Sequence, residues 1–425
     1  MLVRAVFVQL SVCFRVRPYR NSMTDLTRRA ALTMGGATAL TFSLGFWRQA
    51  YAKPAVVGVG PYGRLRAPDR NGVRLPKGFE ARLIGYSGER VPGTSFPWVF
   101  EPDGAACFPL SNGGWIYAAN SEVNGTGGGA ASICFDADGS IVDAYRILAG
   151  TKWNCSGGAT PWGTWLSGEE FRQGFVWECD PTRPGQGVAR KLLGRYAHEA
   201  AVVDPTTGWV YLTEDAGKGR LYRFCPDSYG DLSSGSLQAA KINNDGAKVS
   251  WKQVSVRQPE RSKGTSEFNR GEGAYFSDGY VYFTTTGDDR VWALNTTTDA
   301  IEIIYDAAEL GDDAPLRDPD CITVHHSTGD IYVGEDEDDL QLVLLADGER
   351  NRVAAPFVQL IGHSGGEKGA PGQDPNVVTS SSWKPASEIT GLAFSPDGSR
   401  LYMTSQRGLD GVHGMTFEIT GPFRS

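Results

Sequence analysis

Long helical patterns are few in this chain, and beyond residue 52 it carries no block of lysine and arginine. With a net charge of −8 and a pI near 5.3, nucleic acid and anionic membrane surfaces are not the expected partners. The seven cysteines include no CxxC pair and no zinc-finger spacing. His198-Glu199 lacks the second histidine of a zinc-protease helix, and Gly127-Gly128-Gly129 has no helix after it to receive a pyrophosphate. Phe135-Asp136-Ala137-Asp138-Gly139 lacks the distant glutamate of a calcium loop and reads as a turn between strands. His325-His326 falls at a strand-turn junction and reads as structural.

Glycine, by contrast, is abundant, with 54 residues beside 23 prolines and an aromatic share of 11%. That composition predicts many short strands joined by tight turns. Six stretches share one plan: a segment of small residues, a turn rich in Asp, Gly, Ser or Asn, a strand centred on an aromatic residue, then polar residues. They are Asp103–Asn120, Asn154–Glu170, His198–Asp215, Glu272–Asp288, Asp320–Asp336 and Glu388–Arg407. Their aromatic centres, Tyr117, Trp165, Tyr211, Tyr282, Tyr332 and Tyr402, lie about 46 to 71 residues apart. This is the spacing of four-stranded propeller blades with some long loops. The expected fold is all-β, a six-bladed β-propeller. A β-sandwich would not repeat the same order of parts.

The amino terminus reads as an address. Thr27-Arg28-Arg29-Ala30-Ala31-Leu32 is a twin-arginine signature, Ala30–Phe46 is uncharged and moderately apolar, and Ala50-Tyr51-Ala52 offers a small-x-small cleavage site. Residues 1–52 are therefore expected to be a cleaved signal region, with Met23 an alternative start. Residues 53–425 are expected to form one domain, a monomer, exported by the twin-arginine machinery to the periplasm or beyond. Six cysteines remain after the leader, and an even count in an exported protein permits disulfides.

Within each hairpin the start of the first strand and the end of the second lie on one edge. The starts carry Asp103, Cys155, His198-Glu199, Glu272, Asp320 and Glu388. The ends carry Asn120 and Glu122, Glu169-Glu170, Glu214-Asp215, Asp288-Asp289, Glu335-Asp336 and Gln406-Arg407. In a propeller these edges converge, so a metal site is expected at one mouth of the central channel. Like charges gathered there raise one another's pKa, and multivalent cations such as Ca²⁺ resolve the conflict. Cys155 adds a soft ligand suited to a transition ion.

The runs Asn154-Cys155-Ser156-Gly157-Gly158, Thr160-Pro161-Trp162-Gly163-Thr164 with Glu169-Glu170, and Arg195-Tyr196-Ala197-His198-Glu199-Ala200 resemble the PhoX-type alkaline phosphatases, as a shorter member. So do Tyr211-Leu212-Thr213-Glu214-Asp215, Arg270-Gly271-Glu272-Gly273 and Asp318-Pro319-Asp320. The resemblance implies a cluster of Fe³⁺ and Ca²⁺ that hydrolyses phosphate monoesters. It implies Cys155 as an iron ligand, and Glu169, Glu170, Glu214, Asp215, Glu272, Glu335 and Asp336 as the acids from which the metal ligands come. Arg270 is implied as the catalytic residue on the phosphate. Two other functions are compatible with a propeller: a calcium-dependent lactonase, which needs no thiol, and a non-catalytic exported binding protein, which needs no paired acids. The leader is directly testable. Changing Arg28 and Arg29 together to Lys should leave precursor in the cytoplasm, read by fractionation; mature protein still exported by the twin-arginine route would refute the assignment.

Overall fold

The computed structural model describes residues 53–363 and 387–425, apart from 186, 244–246, 258, 260–262, 337 and 338. The leader and Arg28-Arg29 lie outside the described residues. Six sheets follow one another along the chain, each built on four antiparallel strands. Their innermost strands are Pro102–Pro109, Asn154–Ala159, His198–Val203, Gly271–Ser277, Pro319–Val324 and Ile389–Phe394. Each pairs with the aromatic strand that follows it, as the hairpins of the sequence require. The inner strands also pack side by side in a closed ring, the sixth against the first, so the molecule is a six-bladed β-propeller.

Ring closure comes from the chain's own beginning. The outermost strand of the sixth sheet is Glu80–Tyr86, which pairs antiparallel with Met415–Thr420. This joins an early and a late segment of the described chain through backbone hydrogen bonds and completes the four strands of the last blade. Nearer the amino terminus, Ala55–Val57 runs parallel to the outer strand Arg352–Leu360 of the fifth blade.

The core is correspondingly divided. There are six apolar clusters, one in each gap between neighbouring blades. Between the sixth and first blades Tyr117 packs against Tyr402 at a tilt, with ring centroids 4.9 Å apart, and the Trp115 indole N–H donates to the Tyr402 hydroxyl at 2.9 Å. The aromatic centre of each second strand is thus a wedge between two sheets rather than the middle of one globular core. No disulfide joins the six described cysteines to one another. For Cys155 and Cys179 the reason is plain: they sit on the first and third strands of one sheet, roughly 10 Å apart and beyond disulfide reach.

One irregularity recurs in every blade. The pairing of the first two strands slips between Pro102 and Ala105, Asn154 and Gly157, His198 and Ala201, Gly271 and Ala274, Pro319 and Ile322, and Thr390 and Ala393. Such a bulge leaves residues unpaired and turns a side chain away from the ordinary pleat. The first bulged residue is Asp103, Cys155, Glu199, Glu272 and Asp320 in five blades, and Gly391 in the sixth. Gly391 adopts φ 64°, and a Cβ there would stand 2.5 Å from the Tyr117 hydroxyl, which donates to the Gly391 carbonyl at 2.9 Å. Gly391→Ala should therefore cost about 2 kcal/mol, read as a lowered denaturation midpoint; an unchanged midpoint would show that the sixth blade tolerates a side chain at its bulge.

Candidate metal centre

The bulges are held by a second recurring device. Glu101, Trp153, Arg270 and Asp318, each immediately before an inner strand, have φ of 43°, 46°, 53° and 41°. This left-handed backbone costs a non-glycine residue about 1–3 kcal/mol, and such strain persists only where the surroundings enforce it. Here the enforcement is a hydrogen bond. The four carbonyls accept from the amides of Glu122 at 2.9 Å, Glu170 at 2.7 Å, Thr286 at 3.0 Å and Asp336 at 2.9 Å. The residue leaving the second strand is thereby pinned beside the residue starting the first.

Five bulges and two of these exits converge. Three groups each bring their ligand atoms within 4.8 Å: Asp103, Glu122 and Cys155; Cys155, Glu170 and Glu199; Glu199, Glu272 and Asp320. Cys155 and Glu199 each belong to two groups, so the three form one connected series. Glu199 is fully buried, and neither of its carboxylate oxygens has a hydrogen-bond partner; Oδ2 of Asp320 also lacks one. Buried unpartnered carboxylate oxygens are costly unless a cation meets them. The donor set fits multivalent ions: a thiol with carboxylates at one end, carboxylates alone at the other.

Electrostatics agree with this fit. Burial, and then neighbouring carboxylates, push Glu122 up to about 7 and hold Glu170, Glu199 and Asp320 well above the usual carboxylate range. Asp103 and Glu272 are raised by burial and by their acidic neighbours, against the lowering pull of Gln406 and Arg270 respectively. The Cys155 thiol is raised by burial and by Asp103, Glu199, Glu122 and Glu170. Two arginines offset part of the charge. Arg270 forks onto Asp215 at 3.0 and 3.3 Å, lies 3.0 Å from Glu272 outside hydrogen-bond geometry, and is 3.9 Å from Asp336. Arg407 reaches Glu388 at 3.2 Å and Glu101 at 4.0 Å. The Gln406 amide donates to Asp103 at 2.6 Å and Glu122 at 2.9 Å.

The metal-site residues named from the sequence divide into three sets. Cys155, Glu170 and Glu272 fall within the three groups, while Asp215 and Asp336 stand around Arg270. Glu169, Glu214 and Glu335 are placed elsewhere. Glu169 accepts from the amides of Lys152 at 3.4 Å and Phe175 at 3.2 Å. Glu214 accepts from the Arg220 amide at 3.0 Å and the Tyr222 hydroxyl at 2.7 Å, and Glu335 from the amides of Arg317 at 2.9 Å and Gln341 at 2.8 Å. Each closes the loop after its own strand, and only the next residue faces the cluster. Asp103, Glu122, Glu199 and Asp320 join the groups without having been singled out as ligands. Their signal in the sequence is positional, since Asp103, Glu199 and Asp320 occupy the blade position of Cys155 and Glu122 follows its second strand as Glu170 does. His198 is buried, hydrogen-bonds the Gly194 carbonyl at 3.2 Å and is held neutral, its pKa lowered to about 3 by burial. His325 meets the Gly398 carbonyl at 3.1 Å, the structural role expected.

Residues 111–173 and 171–302 match the family model described as Alkaline phosphatase PhoX. The matched span includes Glu122, Cys155, Glu170, Glu199, Asp215, Arg270 and Glu272. No curated protein matches the chain. Among solved structures it is similar to a gluconolactonase from Xanthomonas campestris, at 12% identity over 86% of this chain and 99% of that one, TM-score 0.44. It is also similar to a streptogramin B lyase, at 12% identity over 81% and 98%, TM-score 0.41. The WD40 propeller domain of Doa1 matches at 10% identity over 79% and 96%, TM-score 0.41. At these TM-scores the likenesses carry no argument.

A dependence on pH follows from the crowded acids. In the unfolded chain these groups titrate near about 4, whereas the metal-free folded protein keeps Glu122 protonated to about 7. Between the two values the unfolded state has lost protons that the folded state still holds, so stability falls as pH rises. Metal-free protein should melt at a lower temperature at pH 8 than at pH 5, and calcium added at pH 8 should reverse the loss. A melting temperature unchanged from pH 5 to 8 would contradict the cluster's electrostatics.

Proposed function

We propose that this chain is an exported, metal-dependent phosphoric ester hydrolase of the alkaline phosphatase PhoX type, the family whose model it matches over residues 111–302. The observation that carries the reading is the connected series of ligand groups in which Cys155 and Glu199 are each shared. A site for one structural cation does not need shared ligands; a cluster does. The thiol end suits ferric iron and the all-carboxylate end suits Ca²⁺. Bound there, at one mouth of the channel, such ions would supply Lewis-acid polarisation of a phosphoryl oxygen and a nucleophile available at neutral pH.

The chain's own residues supply orientation and charge. Arg270 is 41% exposed although Asp215 and Glu272 fix its guanidinium. A phosphate monoester could therefore meet its open edge while its position is held by the carboxylates behind, which is the pre-organised donor that a developing phosphoryl charge requires. Water would add to phosphorus and the alcohol would leave with a proton. Asp215 and Asp336 would position Arg270, and Cys155, Glu170, Glu199, Glu272, Asp103, Glu122 and Asp320 would hold the ions. The twin-arginine leader of residues 1–52 would carry residues 53–425 folded, as a monomer, to the periplasm or the medium.

Cys155 gives the decisive experiment. A thiolate on ferric iron absorbs in the visible, so the purified protein should be coloured. Cys155→Ser should remove that band, most of the iron and most of the hydrolysis of an aryl phosphate. Cys179→Ser, which alters a buried thiol outside the groups, should keep the colour. Unchanged iron in folded Cys155→Ser protein would overturn the ligand assignment, and full activity after exhaustive metal removal would overturn the mechanism.

A further inference from the structure

Trp153 and Phe171 flank the Cys155 and Glu170 end of the cluster, one just before the inner strand Asn154–Ala159 and the other just after Glu170. Their ring centroids are 5.9 Å apart, and the Lys152 ammonium lies 4.3 Å from the Phe171 ring and 5.0 Å from the Trp153 ring. Both rings are half-buried, and neither belongs to any of the six interblade cores. Their contacts are with each other and with the Lys152 ammonium rather than with a core.

Blade geometry adds a second observation. Trp153 occupies the left-handed position that is Arg270 in the fourth blade and Glu101 in the first. Those two side chains are turned toward the cluster's own charged groups, Arg270 onto Asp215 and Glu272 and Glu101 toward Arg407. A bulky indole is a costly choice for φ 46°, where glycine, asparagine or aspartate would serve. The Glu170 amide and the Gly174 amide, donating to the Trp153 and Phe171 carbonyls at 2.7 Å each, fix the backbone of both residues beside Glu170.

We infer that Trp153, Phe171 and Lys152 form a stacking subsite beside the metal centre for a planar aromatic leaving group, such as the base of a nucleoside monophosphate. The inference rests on the phosphoric ester reading. Half-exposed rings stack on any base, because every base offers a π-face, and an adjacent ammonium favours an anionic ligand. Esters without a ring gain nothing from the subsite.

The test compares adenosine 5′-monophosphate with glycerol 2-phosphate on wild type, Phe171→Ala, Phe171→Tyr and Trp153→Ala. The ratio of kcat/KM for the nucleotide over the ringless ester should fall about ten-fold in both alanine variants. The loss should sit in KM, and Phe171→Tyr should restore the ratio. A ratio unchanged by either alanine variant overturns the subsite while leaving the hydrolase reading intact. Calorimetric titration with adenosine 5′-monophosphate, run on the same metal-loaded proteins, reads the subsite even without turnover. Weaker nucleotide binding in Phe171→Ala, with no hydrolysis by wild type, keeps the subsite and removes the hydrolase reading. Neither binding nor hydrolysis by wild type removes both.

Discussion

Carboxylates taken out of water and set beside one another repel, and this protein gathers Asp103, Glu122, Glu170, Glu199, Glu272 and Asp320 in one place. The rest of the fold can be understood as what makes that gathering possible. Metal-free, the cluster would relax by taking up protons or by spreading apart. It is prevented from spreading because each member sits on a different strand end of a closed ring. The ring is held by six interblade cores and by the pairing of Glu80–Tyr86 with Met415–Thr420. Stability is thus invested at the periphery, in apolar wedges such as Tyr117 and Tyr402. The centre is left electrostatically unsatisfied, as at Glu199, whose two oxygens have no hydrogen-bond partner. A site of this kind stabilises whatever cation fills it, because the repulsion is already present before binding.

The same backbone solution appears in blade after blade, and function is distributed by changing side chains upon it. At the bulge the fourth and fifth blades offer Glu272 and Asp320, the second offers a thiol, and the sixth offers only Gly391. At the left-handed position before the inner strand stand Glu101, Trp153, Arg270 and Asp318. The sixth blade, lacking a bulge ligand, instead contributes Gln406 and Arg407 from the exit of its second strand, where they meet Asp103, Glu122 and Glu388. Carboxylate, thiol, counter-charge and aromatic side chain are therefore arranged by blade number.

Adjacent acids with similar sequence surroundings do different work. Glu169 and Glu170 are neighbours, yet the first satisfies two backbone amides of its loop and the second faces the thiol. The same division separates Glu214 from Asp215 and Glu335 from Asp336. Successive residues of an extended chain point to opposite sides, so one of each pair must turn away from the cluster. Orphan amides in the following loop give that one a partner.

Much of this was determined by the sequence itself. The recurring order of small segment, turn, aromatic strand and polar end marked six hairpins whose inner strands are those of the six blades. The clustering of acids at hairpin ends followed from connectivity, since a tight antiparallel turn must return the chain to the edge it left. On that basis Asp103, Glu122, Cys155, Glu170, Glu199, Glu272 and Asp320 were all placed at the converging ends, and the family resemblance singled out Cys155, Glu170 and Glu272 among them. Only the tertiary structure decided which acid of each pair faces inward, and that Asp103, Glu122, Glu199 and Asp320 complete the groups. The physical reason is the bulge. It inserts unpaired residues just where pleat parity would otherwise be counted, and whether a carboxylate is claimed by a loop amide depends on how the loop closes. Cys155 and Cys179 are likewise kept apart by the strand that lies between them.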